Sequence, residues 1–284
     1  MRGAYFEGWY FKYQCQEGIF AFIPAFHTDE NGICSASVQA VTEKGAWYFE
    51  YPMAECHMKK GILDIRIGRN HFTEKGCELH LENDEINITG HLVHGELGNI
   101  KGDIMGIFRY VPFMQCRHGV LSMYHKVQGI LNINGKKTVV KGAGYIESDR
   151  GKSFPKHYLW TQCILDEKAG SSLMLSVADI PMCGLHFCGC ICEIWHGDWV
   201  YRLATYKGCR VKECRDGNVL IKQGIYRLKV TKLTEKGFEL RAPVKGEMSR
   251  MIKESPSCAV RYQFYRGKKK IFDITSSRAS FEQA

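Results

Sequence analysis

The chain has 284 residues, 45% of them hydrophobic and 24% charged, which is typical of a globular protein and excludes a disordered or fibrous one. Its net charge is +9, but the basic residues are scattered apart from Lys268–Lys270, and no nucleic-acid-binding signature is present. We therefore expect no nucleic-acid partner. The charge allows at most a weak attraction to an anionic membrane surface.

No apolar run approaches the ~18 residues that indicate a membrane-spanning helix. The aromatic segment over residues 5–12 predicts ordered structure from the start of the sequence, so we expect no signal peptide. We therefore expect a cytoplasmic protein that is at most peripheral to the membrane. Thirteen cysteines without an export signal indicate free thiols in a reducing compartment. Nothing in the sequence indicates an oligomeric state.

Alternating apolar and polar residues predict short strands along the whole chain. In the first half these runs cover 4–13, 19–26, 35–41, 46–51, 61–68, 79–81, 86–92, 99–110, 120–133 and 138–141. In the second half they cover 158–162, 173–178, 187–195, 199–206, 219–222, 226–233, 238–242, 259–265 and 271–275. One helix is predicted over 246–255, because Met248, Met251 and Ile252 share a helical face before Pro256.

An internal echo suggests two modules. The segment Thr73–Leu79 (TEKGCEL) recurs as Thr234–Leu240 (TEKGFEL), which predicts a matched hairpin in each half. We therefore predict an all-β chain of two tandem antiparallel β-barrels or sandwiches, over 1–152 and 153–284, with one short helix near the C-terminus. The join lies near a glycine- and carboxylate-rich segment, and ligands often bind between domains.

That central segment, residues 142–155, holds the best candidate for chemistry. On a strand, Tyr145 and Glu147 point to the same face while Ile146 points to the other. If the shared face looks into an apolar cavity, desolvation favours the acid form of Glu147, which can then donate a proton near neutral pH. The more common alternative is a solvated Glu or one that caps a turn.

Other candidate groups have simpler interpretations. One cluster of cysteines could be taken for a metal site: Cys183, followed by the alternating residues His186, Cys188, Cys190 and Cys192. Four alternating positions on one strand spread their side chains in a row and make a poor tetrahedron of zinc ligands. We therefore expect these residues to line a barrel wall as small hydrophobic side chains. No phosphate-binding loop or dinucleotide motif is present, and no catalytic-cysteine signature surrounds Cys116.

Two histidines, His118 and His125, flank a predicted strand and matter for Glu147 only if the fold brings them together. Four aromatic residues are interpreted primarily as core residues: Trp9, Tyr10, Trp47 and Trp160. If they lined a pocket instead, their π faces would stabilise a carbocation.

Several segments resemble a known family. The opening Phe6–Lys12 (FEGWYFK) resembles that of tocopherol-cyclase-like proteins, and residues 112–120 (PFMQCRHGV) and 144–155 (GYIESDRGKSFP) resemble that family's central blocks. Residues 160–162, 201–206 and 279–282 extend the resemblance over nearly the whole chain. The layout is also similar to the carotenoid 1,2-hydratase and AttH-like group, which implies two lipocalin-like (calycin-type) modules.

The resemblance implies that Glu147 is the proton donor, with Tyr145 and His118 beside it. It implies an enzyme of the intramolecular lyase or isomerase class that cyclises a prenylated quinol or related isoprenoid in a β-barrel cavity, without a cofactor or metal. Arg150 stands where relatives often have Trp, a change from an aromatic wall to a fixed cation. The expected substrate contacts are Trp9, Tyr10, Trp47, Arg150 and Trp160.

Three alternatives stay open. A hydratase would add water to the same double bond. A non-catalytic lipocalin-like carrier would only bind an apolar ligand, since fold does not determine chemistry. A purely structural module would have a filled core and retain no lipid.

Overall fold

The computed structural model describes residues 3–59, 61–111, 114–182, 185–234 and 237–284. Over these residues the chain is almost entirely β, with twenty-one strands and three short 3-10 helices at Met53–Glu55, Gly106–Tyr110 and Thr205–Lys207. The predicted all-β fold class is therefore confirmed.

Eleven strands form the first sheet. They are β1 (Tyr5–Cys15), β2 (Gly18–Thr28), β3 (Cys34–Thr42), β4 (Gly45–Tyr51), β5 (Cys56–Met58), β6 (Asp64–Ile67), β7 (Asn70–Thr73), β8 (Gly76–Glu82), β9 (Asn87–His94), β10 (Cys116–Ile133) and β11 (Lys136–Gly151).

Ten strands form the second sheet. They are β12 (Tyr158–Asp166), β13 (Ser171–Met182), β14 (Leu185–His196), β15 (Trp199–Ala204), β16 (Arg210–Arg215), β17 (Asn218–Gln223), β18 (Tyr226–Lys232), β19 (Phe238–Val244), β20 (Glu247–Arg266) and β21 (Lys269–Gln283).

The two sheets share one topology. The first runs in the order β4-β3-β2-β1-β11-β10-β9-β8-β7-β6-β5, and the second runs β15-β14-β13-β12-β21-β20-β18-β17-β16. In each, a four-strand meander is followed by the sheet's last strand, which returns beside the first. Neighbouring strands are antiparallel, and one sheet curves into a nearly closed barrel. The shared order supports two tandem modules of the same architecture.

The chain divides into two compact units. The first consists of Met1–Lys101, Cys116–Phe154 and Leu240–Arg250, and the second of Gly102–Gln115, Pro155–Glu239 and Met251–Ala284. The predicted division between residues 152 and 153 stays a prediction about domains.

The first unit has an aromatic core made by alternate residues of its strands. On β1, Trp9, Phe11 and Tyr13 point into this core, where they meet Phe22 and Phe72. Phe11, Tyr13, Phe22 and Phe72 are completely buried. Burying side chains of this size stabilises a fold by roughly 1.5–3 kcal/mol each, so this interior is a major source of the unit's stability.

The central strands of the first sheet are also buried on their other face. Tyr10, Lys12, Ile19, Ala21 and Tyr145 are all buried but do not belong to the aromatic core. The register places Lys12 opposite both Ala21 and Tyr145, so these side chains share one face. Two buried faces explain why the N-terminal strands are apolar at nearly every position.

The second unit has its own core, formed around Tyr262, Phe264 and Phe281. The Tyr262 hydroxyl is hydrogen-bonded to Thr161 Oγ1 at 2.6 Å, which satisfies both buried groups. Cys190 and Cys192 pack in this core, as predicted for small hydrophobic residues. In the same cluster Cys188 is exposed, His186 bonds Asp179 at 2.8 Å, and Cys183 lies outside the described residues.

The predicted helix over 246–255 is wrong, because these residues begin strand β20. Lys245 and Gly246 have φ values of 50° and 78°. Two consecutive residues with positive φ form the tight turn that suits a β-hairpin, and β19 indeed pairs with β20. This pairing overrides the helical spacing, and Met251 is left 53% exposed.

Two further expectations are corrected. Residues 99–110 are not a strand; they form turns and a 3-10 helix, with positive φ at Gly102 and Gly106. The first copy of the repeated segment is a tight hairpin in which Thr73 pairs with Gly76. The second copy differs, because β18 pairs with β17 and β20 while β19 pairs with β20. Similar sequences thus occupy different positions in the two sheets.

Among the described residues, no helix has the length and hydropathy to cross a membrane.

Candidate active site

The site is built on strand β11. Tyr145, Glu147 and Asp149 alternate along it and therefore share one face, whereas Ile146 points into the aromatic core on the other face. Strand β1 flanks them on one side, with Tyr10 opposite Glu147. Glu147 therefore lies on the face of the first sheet opposite the aromatic core, and its expected location in a barrel cavity stays a prediction.

Strand β10 flanks β11 on the other side and supplies the histidine. The register pairs Val120 with Glu147 and His118 with Asp149, so the four side chains lie on one face. The β10–β11 register shifts only beyond Val120. Regular pairing at the site therefore fixes His118 against the two carboxylates.

A hydrogen bond is formed at each end of this group. The Tyr145 hydroxyl donates to Glu147 Oε2 at 2.5 Å, in the range of charge-assisted bonds. His118 Nδ1 lies 3.0 Å from Asp149 Oδ1, and because a carboxylate only accepts, Nδ1 is the donor. His118 Nε2 lies 3.4 Å from Glu147 Oε2. His118 thus stands between the two carboxylates and faces each with a different ring nitrogen.

Exposure decreases along this row of groups. The side chain of Asp149 is 22% exposed, that of His118 10% and that of Glu147 6%, while Tyr145 is completely buried. The row therefore leads from the solvent to a buried carboxyl. Such an arrangement can deliver a proton from water to a site from which bulk water is largely excluded.

Two neighbouring groups remain protonated. Burial raises the pKa of Tyr145 well above its ordinary value, and Glu147 raises it further. Burial, followed by the charge of Asp149, raises the pKa of the Cys116 thiol well above its ordinary value. This thiol donates to Asp149 Oδ1 at 3.3 Å. Cys116 is therefore a hydrogen-bond donor at this site rather than a nucleophile.

His118, Glu147 and Asp149 are also the one group of potential metal ligands found among the described residues, with donor atoms within 4.8 Å of one another. The geometry fits an ion poorly, because His118 aims Nδ1 at Asp149 and Nε2 towards Glu147 from opposite edges of its ring. The Tyr145 hydroxyl already binds Glu147 Oε2. The arrangement suits proton transfer better than metal coordination.

Within the first unit, the structure separates the other predicted residues from this group, except Tyr10. Trp9 lies in the aromatic core with Phe26, on the opposite face of β1, and Trp47 packs against that core. Arg150 is exposed and, by the alternation along β11, lies on the face opposite Glu147. Trp160 is buried in the second unit.

The second candidate histidine, His125, belongs to a different cluster. Its partner in the register is Gly144, and its Nδ1 lies 3.0 Å from Ser122 Oγ. Its ring centroid lies 4.6 Å from that of His94. Of the two histidines that would matter only if the fold brought them to Glu147, the structure places His118 there, whereas these contacts join His125 to Ser122 and His94.

Sequence reasoning did not assign three residues to the site. Asp149 extends the Tyr145–Glu147 alternation by one more step, so the period of two could have identified it. Cys116 lies two positions before His118 on β10, so the same period of two places both on one face. Lys12 is 1% exposed and lies opposite Tyr145 in the register, but a lysine in an aromatic strand gives no sequence signal of burial.

Comparisons with known proteins identify similar folds. No family model matches the sequence, and no curated protein matches it. A putative AttH from Nitrosomonas europaea aligns over 98% of this chain and 92% of its own, with 13% identity and a TM-score of 0.59. Kievitone hydratase from Nectria haematococca aligns over 99% and 89%, with 13% identity and a TM-score of 0.56.

A third solved structure, CghA with Sch210972, aligns over 99% of this chain and 88% of its own, with 10% identity and a TM-score of 0.57. These identities are low, so the likeness concerns the fold. The resemblance to tocopherol-cyclase-like proteins stays a prediction. The chain has the lipocalin-like, two-sheet fold of AttH-like proteins, kievitone hydratase and CghA.

Proposed function

We propose that this protein is an enzyme that adds an O–H group across a carbon–carbon double bond of an apolar, isoprenoid-type substrate, with Glu147 as the proton donor. The carrying observation is the row Asp149–His118–Glu147–Tyr145, in which a buried carboxyl has a histidine on one side and a phenol on the other. A carrier of apolar ligands needs no such row.

Burial and hydrogen bonding give Glu147 two usable states. Desolvation favours the neutral acid, which can protonate an alkene. The Tyr145 hydroxyl then stabilises the carboxylate that remains after transfer, because it already points at Oε2. The same group is thus prepared both to release a proton and to take one back.

The reaction balances without an added reagent. The Glu147 proton forms a C–H bond with one alkene carbon, and the alkene electron pair leaves a tertiary cation on the other. A hydroxyl oxygen attacks the cation and forms a C–O bond. Its proton returns to Glu147, directly or through His118 Nε2. A positioned acid of this kind contributes ~10²–10⁴-fold to the rate.

The ring of Tyr10 is the nearest candidate for cation stabilisation. It lies opposite Glu147 in the β1–β11 register and is 8% exposed. The face of an aromatic ring attracts a cation by roughly 0.5–2 kcal/mol. In this proposal Tyr10 replaces Trp9, which belongs to the aromatic core, and Trp47, which packs against that core.

The source of the hydroxyl group distinguishes two reactions. If it belongs to the substrate, as in a prenylated quinol, the product is a ring; this follows the sequence resemblance to tocopherol-cyclase-like proteins. If it is water, the product is a tertiary alcohol. The second reaction is favoured by the similarity in fold to kievitone hydratase.

The test is turnover of a prenylated hydroquinone in D2O. Transfer from Glu147 predicts one deuterium on the alkene carbon of the product, detected by mass spectrometry, in a chroman for cyclisation or an alcohol for hydration. Glu147→Gln keeps the side-chain shape and should lower turnover by ~10²–10⁴-fold. Unchanged turnover in this variant would remove Glu147 from the mechanism.

Native mass spectrometry of freshly purified protein separates an enzyme from a carrier. A bound cyclised or hydrated lipid supports the enzyme. A retained, unmodified lipid together with no turnover would instead establish a carrier.

A further inference from the structure

A depression on the outer face of the second sheet collects positive charge. It has a volume of about 290 Å³ and is lined by Leu220, Lys222, Arg227, Lys229, Gln263 and Tyr265. These residues come from β17, β18 and β20, and they alternate with core residues such as Ile221, Leu228 and Phe264. The depression is therefore on the face of the sheet opposite the core.

The register brings the cations together. Lys222 lies directly opposite Arg227, and Arg227 lies opposite Tyr265. Like charges at directly opposed positions destabilise a sheet by a few tenths of a kcal/mol or more. The repulsion between Lys222 and Arg227 therefore lowers the stability of the sheet, and a bound anion would relieve this repulsion.

Neighbouring carboxylates do not neutralise this charge. Asp273 accepts a hydrogen bond from the lining residue Gln263 at 3.0 Å, but its charge is already paired with Arg261 at 2.8 Å and with Lys270 at 3.0 Å. Glu213 lies 3.9 Å from Arg215. Among the residues that the structure describes, Lys222, Arg227 and Lys229 form no ion pair.

The depression is also shaped for a ligand. The Arg227 guanidinium stacks over the Tyr265 ring at 4.3 Å, which holds its donors in a fixed plane. Gln263 Nε2 donates to the Tyr265 hydroxyl at 3.3 Å. Leu220 adds an apolar contact beside the charges.

We propose that this depression binds a phosphate group carried by an organic molecule, either a phosphorylated small molecule or a phospholipid headgroup. A guanidinium fork with two ammonium groups matches the charge and oxygen geometry of phosphate. The apolar Leu220 contact accommodates the organic part. This site is independent of the chemistry at Glu147 and uses other residues.

The experiment compares two variants of the full chain that lose the same charge. One carries Lys222→Gln, Arg227→Gln and Lys229→Gln. The matched control carries Lys136→Gln, Lys137→Gln and Lys141→Gln, which are exposed lysines of the β10–β11 hairpin. The probes are inorganic phosphate, followed by calorimetry, and phosphatidylcholine vesicles with and without phosphatidic acid, followed by co-sedimentation.

Two results support the proposal and distinguish its sources. Binding of inorganic phosphate that weakens about tenfold or more only in the depression variant indicates a phosphorylated small molecule. Recruitment only to vesicles with phosphatidic acid, lost in the same variant, indicates a lipid headgroup. Arg227→Lys, which keeps the charge but loses the planar fork, should give an intermediate loss with either probe.

The proposal is overturned if neither probe binds the native protein, or if the control variant loses as much binding as the depression variant. In the latter case total charge, not the depression, attracts the anion. Far-UV circular dichroism and thermal unfolding check that both variants fold. The depression variant should unfold close to the native temperature, because it removes both the Lys222–Arg227 repulsion and the Arg227–Tyr265 stacking contact.

Discussion

The Tyr145 hydroxyl donates a 2.5 Å hydrogen bond to Oε2 of Glu147, two residues further along the same strand. Tyr145 is completely buried, and burial raises its pKa well above the ordinary value, so the phenol keeps its hydrogen. A permanent donor therefore faces the carboxyl that we propose as the acid. Its contribution is greatest when Glu147 is charged, that is, after it has released its proton.

We expect Tyr145→Phe to lower kcat by about 10- to 100-fold, since hydrogen bonds to charged groups are worth about 1.5–3 kcal/mol. Losing the donor destabilises the carboxylate, so Glu147 retains its proton to higher pH. The limb of the kcat profile that falls with rising pH should move upward. Tyr262→Phe is the control, because it removes another completely buried hydroxyl, bonded to Thr161, in the second unit.

An unchanged limb with an unchanged kcat in Tyr145→Phe would show that the phenol does not act on Glu147. An equal loss in Tyr262→Phe would assign the effect to stability instead.

We expect His118→Gln to reduce turnover by about 10²-fold or more, because it interrupts proton transfer between Asp149 and Glu147. His186→Gln is a matched control: His186 also bonds an aspartate, Asp179 at 2.8 Å, but on an exposed part of the second unit. Steady-state kinetics with a prenylated hydroquinone measures the difference. Equal activity of the two variants would exclude a role for His118.

Asp149→Asn tests whether Asp149 acts through His118. If it does, the double variant Asp149→Asn/His118→Gln should be no slower than His118→Gln alone, because both changes disable one unit. Multiplicative losses in the double variant would mean that the two residues act separately.

Three buried histidines predict that stability falls in mild acid. Burial lowers the pKa of His27 and of His94 to about 4, and burial together with His94 lowers the pKa of His125 to about 3. In the unfolded chain these groups titrate near 6.5. Below pH 6.5 the unfolded state therefore binds more protons, so the free energy of unfolding decreases as the pH falls towards the folded-state values.

For His27 alone the loss is on the order of 2 kcal/mol at pH 5 relative to pH 7.5. Urea unfolding at the two pH values measures it. His27→Gln should reduce the difference, whereas the exposed His91→Gln should not. A free energy of unfolding that is flat from pH 7.5 to 5 in the native protein would contradict this prediction.

Gly142 permits the close pairing of β11 with β1. A Cβ atom at this position would overlap the Gln14 carbonyl oxygen, a backbone atom that has no freedom to move away. We expect Gly142→Ala to lower the free energy of unfolding by about 1–3 kcal/mol through overpacking. Gly3→Ala is the control, since its added Cβ would meet no atom within 4 Å. Equal urea midpoints for the two variants would show that β1 and β11 move apart to accommodate the methyl group without a loss of stability, which would contradict this prediction.

Strand alternation predicted most of the fold, because a period of two is a local property of the chain. It failed where a turn decides the outcome: the hairpin at Lys245–Gly246 extends β20 through the predicted helix. It also failed for residues 99–110, where glycines with positive φ replace the expected strand.

The same contrast holds for the site. The sequence alone determined an all-β chain and the shared face of Tyr145 and Glu147, because side-chain alternation needs no distant partner. The family resemblance implied His118 beside Glu147, but only the tertiary structure decided which face of the sheet these residues share, and that β10 and β1 hold His118 and Tyr10 there. Register between strands far apart in sequence depends on the packing of both sheet faces, which no local pattern encodes.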